Sequence, residues 1–273
     1  MDEKEKYSMR TDFQTVLVEQ DESVVILTMN RPDVLNAISA LLLQELIEAV
    51  EAAAHDDMIR CVVLTGAGRA FGAGQDLTEF GSAHASGETH LVSEQLPKYH
   101  RLISAILHMP KPVIAAIQGV ATGITLNIAL ACDMRVAAEN ARLGEGFARI
   151  GLVPDGGGGY TLPRLIGLGR ALEMALLAED ISGAEAERIG LVNRCVPLAE
   201  LDRTTRALAK RLANGPTRTY QLIKELMYRS LDMDLQASLH LEGQLQEAAY
   251  TTADHREGVD AFLHKRAATF TGT

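Results

Sequence analysis

The chain has 273 residues, 47% of them hydrophobic and 23% charged, with a formal net charge of −10. That balance fits a globular chain with one large core and a helical appendage. It argues against nucleic acid or an anionic membrane as a general partner, because both require basic surface. Cys61, Cys132 and Cys195 are scattered through apolar segments without metal-type spacing, so they read as buried, reduced thiols of a cytoplasmic protein. Met1 to Arg10 is polar and holds no signal-peptide core. No uninterrupted apolar run approaches the roughly 20 residues that a membrane helix needs.

Residues 1–12 read as a loose tail. Val16 to Glu19 and Val24 to Met29 predict two strands around the turn Gln20-Asp-Glu-Ser23. Asn30-Arg-Pro-Asp-Val-Leu-Asn-Ala37 is a loop by its Asn and Pro content. Ser39 predicts the N-cap of a helix to about His55, in which Leu42, Leu46 and Val50 recur at helical spacing. Cys61 to Leu64 is a short apolar strand, and the polar stretch 81–87 follows the small-residue run Ala70 to Leu77. Leu96 to Met109 reads as a helix with Pro97 in its first turn, stopped by Pro110-Lys-Pro112. Val113 to Ile117 is a buried strand, Gly119 to Ala131 an apolar helix opened by glycine, and Met134 to Ala138 another strand.

Strand–helix alternation to this point indicates α/β. Beyond Gly151 helices dominate: 165–177, 183–189, 198–213, 217–228, 231–249 and 255–268, with one strand over 191–196. The pattern places an α/β core over residues 1–200 and a helical region over 201–273.

Two segments share a design of small residues, a turn and a helix start: Ala73-Gly74-Gln75-Asp76 and Gly119 to Thr125. Helix N-termini leave outward N–H groups unpaired, with positive dipole potential. Two such donors converging on one point would hold a polarised carbonyl oxygen; small residues also mark close helix–strand packing. Gly151-Leu-Val-Pro-Asp155-Gly-Gly-Gly-Gly159 places one carboxylate at a loop-to-helix turn. Four glycines there indicate close backbone approach or unusual conformations, and Asp155 is either an N-cap or a reacting group. Asp133 reads as a helix terminator. His100 and His108 lack a third ligand at metal spacing. Neither a Gly-x-Ser-x-Gly nor a phosphate-binding loop occurs.

Taken in order, Asn30 to Ala37, Ala70 to Leu77, Lys111 to Gly119, Ala131-Cys-Asp133, Gly151 to Asp155, Leu162-Pro-Arg164 and Gly190-Leu-Val192 resemble the crotonase superfamily, the enoyl-CoA hydratase/isomerase family. The resemblance spans nearly the whole chain. It implies an α/β spiral of ββα units with a C-terminal helical trimerisation region. It also implies an acyl-CoA thioester as substrate, no cofactor beyond that coenzyme A, and a homotrimer or hexamer. The backbone N–H groups of Gln75 and Ile124 become the oxyanion donors. The substrate-binding set is Ala73, Gly74, Gln75, Asp76, Leu77, Gly123 and Ile124, with no metal.

The departures from the family pattern are informative. The two glutamates of a typical hydratase fall at Asn127 and Phe147 here. Glu145 stands two residues away and serves only with a register shift. Asp155 is the remaining carboxylate. Its Pro-Asp-x-Gly setting, with the closing segment Asp254 to Gly272, resembles the ring-1,2-epoxyphenylacetyl-CoA isomerase branch, and the nucleophilic aspartate of 4-chlorobenzoyl-CoA dehalogenase also aligns here. Moving a double bond needs one group that takes and returns a proton, whereas hydration in this family uses two. The sequence therefore favours an acyl-CoA isomerase with Asp155 as acid/base. The alternatives are an enoyl-CoA hydratase and a CoA-thioester-binding protein with little turnover.

Overall fold

A computed structural model describes residues 10–78 and 91–273. The expected polar stretch 81–87 and most of the N-terminal tail lie outside the described residues. The strands are Val16–Asp21 (β1), Val24–Met29 (β2), Cys61–Gly66 (β3), Ala70–Gly72 (β4), Val113–Ile117 (β5), Val120–Thr122 (β6), Met134–Ala138 (β7), Arg142–Gly144 (β8), Ile181–Ser182 (β9) and Arg194–Val196 (β10). The α-helices are Ala40–His55 (α1), Leu91–Leu107 (α2), Ile124–Ala131 (α3), Gly158–Ile166 (α4), Leu168–Leu177 (α5), Gly183–Arg188 (α6), Leu198–Ala213 (α7), Thr217–Ser230 (α8), Leu235–Tyr250 (α9) and Ala253–Leu263 (α10).

Six strands form one sheet in the order β1-β2-β3-β5-β7-β10, and four form a second in the order β4-β6-β8-β9. The β1/β2 pair is antiparallel, with Val16 opposite Met29; β2, β3, β5, β7 and β10 run parallel. The chain alternates between the sheets: β3 then β4, β5 then β6, β7 then β8, each pair followed by a helix. This is the ββα spiral. The four short strands of the second sheet were absent from the sequence reading. Residues 119–131 form strand β6 and then α3, not one helix, because a continuous apolar run fits a buried strand as well as a buried helix. Pro97 lies inside α2, which starts at Leu91, so its expected first-turn position is corrected.

Alternate residues of the six-stranded sheet face two apolar layers. Val25, Leu27, Val62, Leu64 and Ala115 pack in the main core with Leu42, Leu46 and Val50 of α1. Ile26, Val63, Ile114 and Val136 pack with Leu201, Leu208, Ala209 and Ala213 of α7. Each fully buried aliphatic side chain contributes about 1.5–3 kcal/mol. Ser39 caps α1 by accepting from Leu42 N, as its residue type predicts. The last two helices leave Leu235, Leu239, Tyr250, Phe262 and Leu263 exposed. Among the described residues, no helix is long and apolar enough to cross a membrane.

Candidate active site

The helices α3 and α4 start beside the ends of the short strands, and a cavity of about 330 Å³ opens there. Its wall includes Ala73, Gly74, Gln75 and Leu77 after β4, Gly123 and Ile124 at the start of α3, and Asp155 before α4. The structure thus brings together all but one of the expected catalytic and substrate-binding residues. The exception is Asp76, which does not line the cavity. Its carboxylate accepts from Arg31 Nη1 at 2.9 Å and from Thr78 Oγ1 at 2.6 Å, and these contacts hold it below the ordinary carboxylate range, the Thr78 bond chiefly.

The Asn30–Ala37 motif positions this wall. Asn36 is fully buried; its Nδ2 donates to Ala67 O and Ala70 O, and its Oδ1 accepts from Arg31 N. Ala73 N donates to Leu35 O at 2.9 Å, Ile38 N to Gly74 O at 2.8 Å, and Asp76 N to Ile38 O at 3.0 Å. The strand-like pairing of Ile38 with Gln75 uses the groups on either side of Gln75 and leaves its own N–H out. Ile124 is the first residue of α3, after Gly123, where helix geometry offers no internal acceptor. Among the described residues, neither Gln75 N–H nor Ile124 N–H has a hydrogen-bond acceptor.

The glycine run has two separate causes. Gly156 adopts φ +54°, and a Cβ there would lie 2.3 Å from Ile124 Cδ1. At Gly158 a Cβ would lie 2.5 Å from Asn127 Nδ2. Backbone therefore packs directly on the two α3 side chains that flank the site. The N-cap of α4 is Gly157, with no side-chain cap, which sets aside the capping alternative for Asp155. Its Oδ1 is buried without a partner. Burial pushes the Asp155 carboxyl up to about 6, and the nearby His100 charge acts in the opposite direction.

Behind Asp155 lies a second carboxyl. Glu145 is 0% exposed and is not part of the cavity wall. Burial pushes it up to about 8; contact with Asn127 opposes the shift and the Asp155 charge adds to it. Asn127 Nδ2 donates to Asp155 O at 2.8 Å and lies 3.5 Å from Glu145 Oε2. Of the six buried side-chain polar atoms without a partner among the described residues, five border this region: Gln75 Nε2, Gln95 Oε1, Asn127 Oδ1, Glu145 Oε1 and Asp155 Oδ1. Buried polar atoms are normally paired, so this concentration marks the region out.

Sequence reasoning missed the contribution of α2. Gln95, Leu96 and Tyr99 line the cavity, and Tyr99 Oη donates to Gln75 Oε1. The spacing of Gln95 and Tyr99, one helical turn apart, was the available signal. Phe147, Ile150, Leu152 and Val153 complete the apolar wall. Phe147 closes over Gly123, where a Cβ would lie 3.7 Å from its ring.

The family model described as enoyl-CoA hydratase/isomerase matches residues 19–273. The chain belongs to this family. It is 42% identical over 95% of its length, and 99% of the other chain, to a Rhodobacter capsulatus protein named a probable enoyl-CoA hydratase. It is 38% identical over 94% of its length, and 98% of the other chain, to a 1,2-epoxyphenylacetyl-CoA isomerase of Escherichia coli. The crystal structure of an enoyl-CoA hydratase from Bacillus anthracis superposes with a TM-score of 0.90 at 35% identity, covering 95% of this chain and all of that one. The architecture is the crotonase fold. Within it, the two positions where the sequence comparison placed hydratase glutamates hold Asn127, a buried amide contacting two other site residues, and Phe147, an apolar wall.

Proposed function

We propose that the protein is an acyl-CoA isomerase that shifts a double bond in an enoyl-CoA thioester, with Asp155 as the acid/base. The observation that carries this reading is the cavity wall, where Asp155 supplies the one carboxyl group among the described lining residues. The N–H groups of Gln75 and Ile124 serve as the oxyanion hole, supported by their placement at the cavity without acceptors. Ionised Asp155 takes a proton from C2 of a 3-enoyl thioester. The electrons move onto the thioester oxygen, where the two N–H groups hold the dienolate. Asp155 then returns the same proton to C4, and the double bond that lay between C3 and C4 lies between C2 and C3. No water or second carboxylate enters, and no cofactor is needed beyond the coenzyme A of the substrate. A carboxyl poised near 6 suits both steps, because it gives the proton back as readily as it takes it.

Hydration is the second reading, favoured by the names of several relatives and by Glu145, whose raised value would suit an acid. Its complete burial behind Asn127 counts against direct contact with substrate. Incubation with crotonyl-CoA and with a 3-enoyl-CoA, followed by chromatography and mass spectrometry, separates these readings. Isomerisation converts the 3-enoyl thioester at constant mass; hydration of crotonyl-CoA adds the mass of water; a CoA-thioester-binding protein with little turnover does neither. The assembly belongs to the same proposal: a cytoplasmic homotrimer or hexamer built through the exposed apolar side chains of α9 and α10.

A further inference from the structure

The mechanism proposed above leaves Glu145 unused, although it is a carboxyl group with no exposure at the edge of the site. It follows β8 and abuts α3, whose residues Ile124 to Ala131 include no ionisable side chain. Nor does a cation pair with it among the described residues. Arg142 and Arg149, the nearest in the chain, both pair with Asp180, at 2.6 and 3.2 Å. His100 acts on Asp155. On the neighbouring helices α5 and α6, Arg170, Glu173, Glu187 and Arg188 are exposed, and Glu185, half-buried, pairs with Arg188. The charged group that reaches Glu145 is therefore Asp155, of the same sign. A buried, unpaired carboxylate beside a second carboxylate is unfavourable, and the neutral acid is the stable form.

The atoms around it match a neutral acid. Asn127 Nδ2 has two hydrogens: one is given to Asp155 O at 2.8 Å, and the other points to Glu145 Oε2 at 3.5 Å. The remaining atoms of the pair, Glu145 Oε1 and Asn127 Oδ1, are both buried and both without a partner. Two acceptors left over at neighbouring groups become a donor and an acceptor as soon as Glu145 carries a proton. A carboxylic acid and a carboxamide then close a two-bond ring. Gly158 packs against the other side of the Asn127 amide, leaving no room for a Cβ, so the amide has little freedom to rotate away.

We infer that Glu145 is a positioning residue: as a neutral carboxylic acid it pairs with the Asn127 carboxamide, and this pair fixes the backbone of Asp155 where its carboxylate meets the substrate. The inference rests on the acid/base role given to Asp155. It makes Asn127 a structural link between two carboxyl groups. It also gives the site an alkaline limit, because ionising Glu145 removes the proton that would join Oε1 to Oδ1 and so releases the amide.

Three measurements on the intact protein test this. First, the infrared spectrum of Asp155→Asn at pH 7 should contain the carbonyl band of a buried protonated carboxylic acid, lost in the Asp155→Asn, Glu145→Gln double variant. Absence of the band overturns the inference whatever becomes of Asp155, and full turnover of Asp155→Asn would overturn the Asp155 role while leaving the band to be read. Second, the wild-type kcat/KM should fall above about pH 8. Glu145→Gln, which offers an amide pair that cannot ionise, should keep kcat within about threefold at pH 7 and lose that fall. An unchanged alkaline limb in this variant overturns the inference. Third, Glu145→Ala should lower kcat at least tenfold with KM within about threefold. A wild-type kcat in folded Glu145→Ala would show that the pair positions nothing.

Discussion

Asn127 Nδ2 and the carbonyl oxygen of Asp155 are joined by a 2.8 Å hydrogen bond between residues 28 apart in the chain. Through it, the buried helix α3 holds the loop that carries the Asp155 carboxyl. The same helix contributes the Ile124 N–H at its first residue. One helix thereby links the two groups to which we assign proton transfer and oxyanion binding, Asp155 and the Ile124 N–H. Acid/base catalysis together with charge stabilisation requires this fixed relationship.

Asp155→Asn keeps the shape of the side chain and removes the base. Isomerase turnover should fall about 100-fold or more, the range general-base removal covers, with the circular dichroism spectrum unchanged. Near-wild-type turnover in the folded variant would remove Asp155 from the chemistry.

The pH dependence follows with a definite sign. Because the base must be ionised, kcat/KM should fall as pH drops below about 6. For stability, the folded value near 6 lies above the ordinary 3.8. The stabilising contribution of the neutral form is therefore fully present below 3.8 and lost as pH rises through 6. Asp155→Asn should consequently raise Tm relative to wild type at pH 8, and by roughly half as much at pH 5. An equal Tm difference at both values would show that the charge carries no folding penalty.

Adjacent glycines should behave oppositely. In Gly158→Ala the new Cβ would lie 2.5–2.8 Å from three atoms of the buried Asn127 amide. Such overpacking costs about 1–3 kcal/mol, and displacing Asn127 should also reduce kcat. At Gly159, exposed inside α4, nothing lies within 4 Å of a Cβ, so Gly159→Ala should add about 0.5–1 kcal/mol through helix propensity. Chemical denaturation of the two variants checks the pair, and equal stabilities would refute the packing account.

Much of this arrangement was legible in the residues, for local reasons. Ser39 and the spacing of Leu42, Leu46 and Val50 placed α1, and α7 was bounded correctly at Leu198 and Ala213, because both helices present an amphipathic face. The strands β4, β6 and β8 were not legible. Each has three residues, too few to display alternation, and each is embedded in glycine and small residues that also suit turns. Asp155 stood out through its glycine neighbours. The contact of Glu145 with Asn127 did not, because it joins segments 18 residues apart and depends on the two sheets bringing β8 beside α3. Asp76 was placed in the site by its position next to Gln75, but its partner Arg31, 45 residues away, draws the carboxylate out of the wall.

Assembly can be tested through the C-terminal helices. Of the α9 leucines at 235, 239 and 245, Leu245 is half-buried, whereas Leu235 and Leu239 are exposed. They are 69% and 49% exposed, and Phe262 is 84% exposed, so none of the three serves the core of a single chain. Light scattering of the intact protein should give the mass of three or six chains, and deleting residues 232–273 should give monomers or insoluble protein. A single-chain mass for the intact protein would reject the assembly.

The oxyanion hole is best tested at Ile124, because its place in α3 separates the N–H from the fold. As the first residue of the helix it is where proline is best tolerated, since the N–H there has no helical partner to lose. Gly123, already at φ +56°, is a permissive residue to precede the ring. Ile124→Pro should therefore fold and lack the donor. Losing one donor of this kind costs about 3–4 kcal/mol in the transition state, a turnover loss of 100-fold or more. Ile124→Gly also sheds the side chain that meets Gly156 but keeps the N–H, so it reports the packing effect alone and should retain most of the activity. Gln75→Ala likewise keeps its N–H and should be mild. The decisive pattern is an active Ile124→Gly beside an inactive Ile124→Pro of native circular dichroism. A folded, active Ile124→Pro would take Ile124 out of the mechanism and leave the thioester oxygen without its second donor.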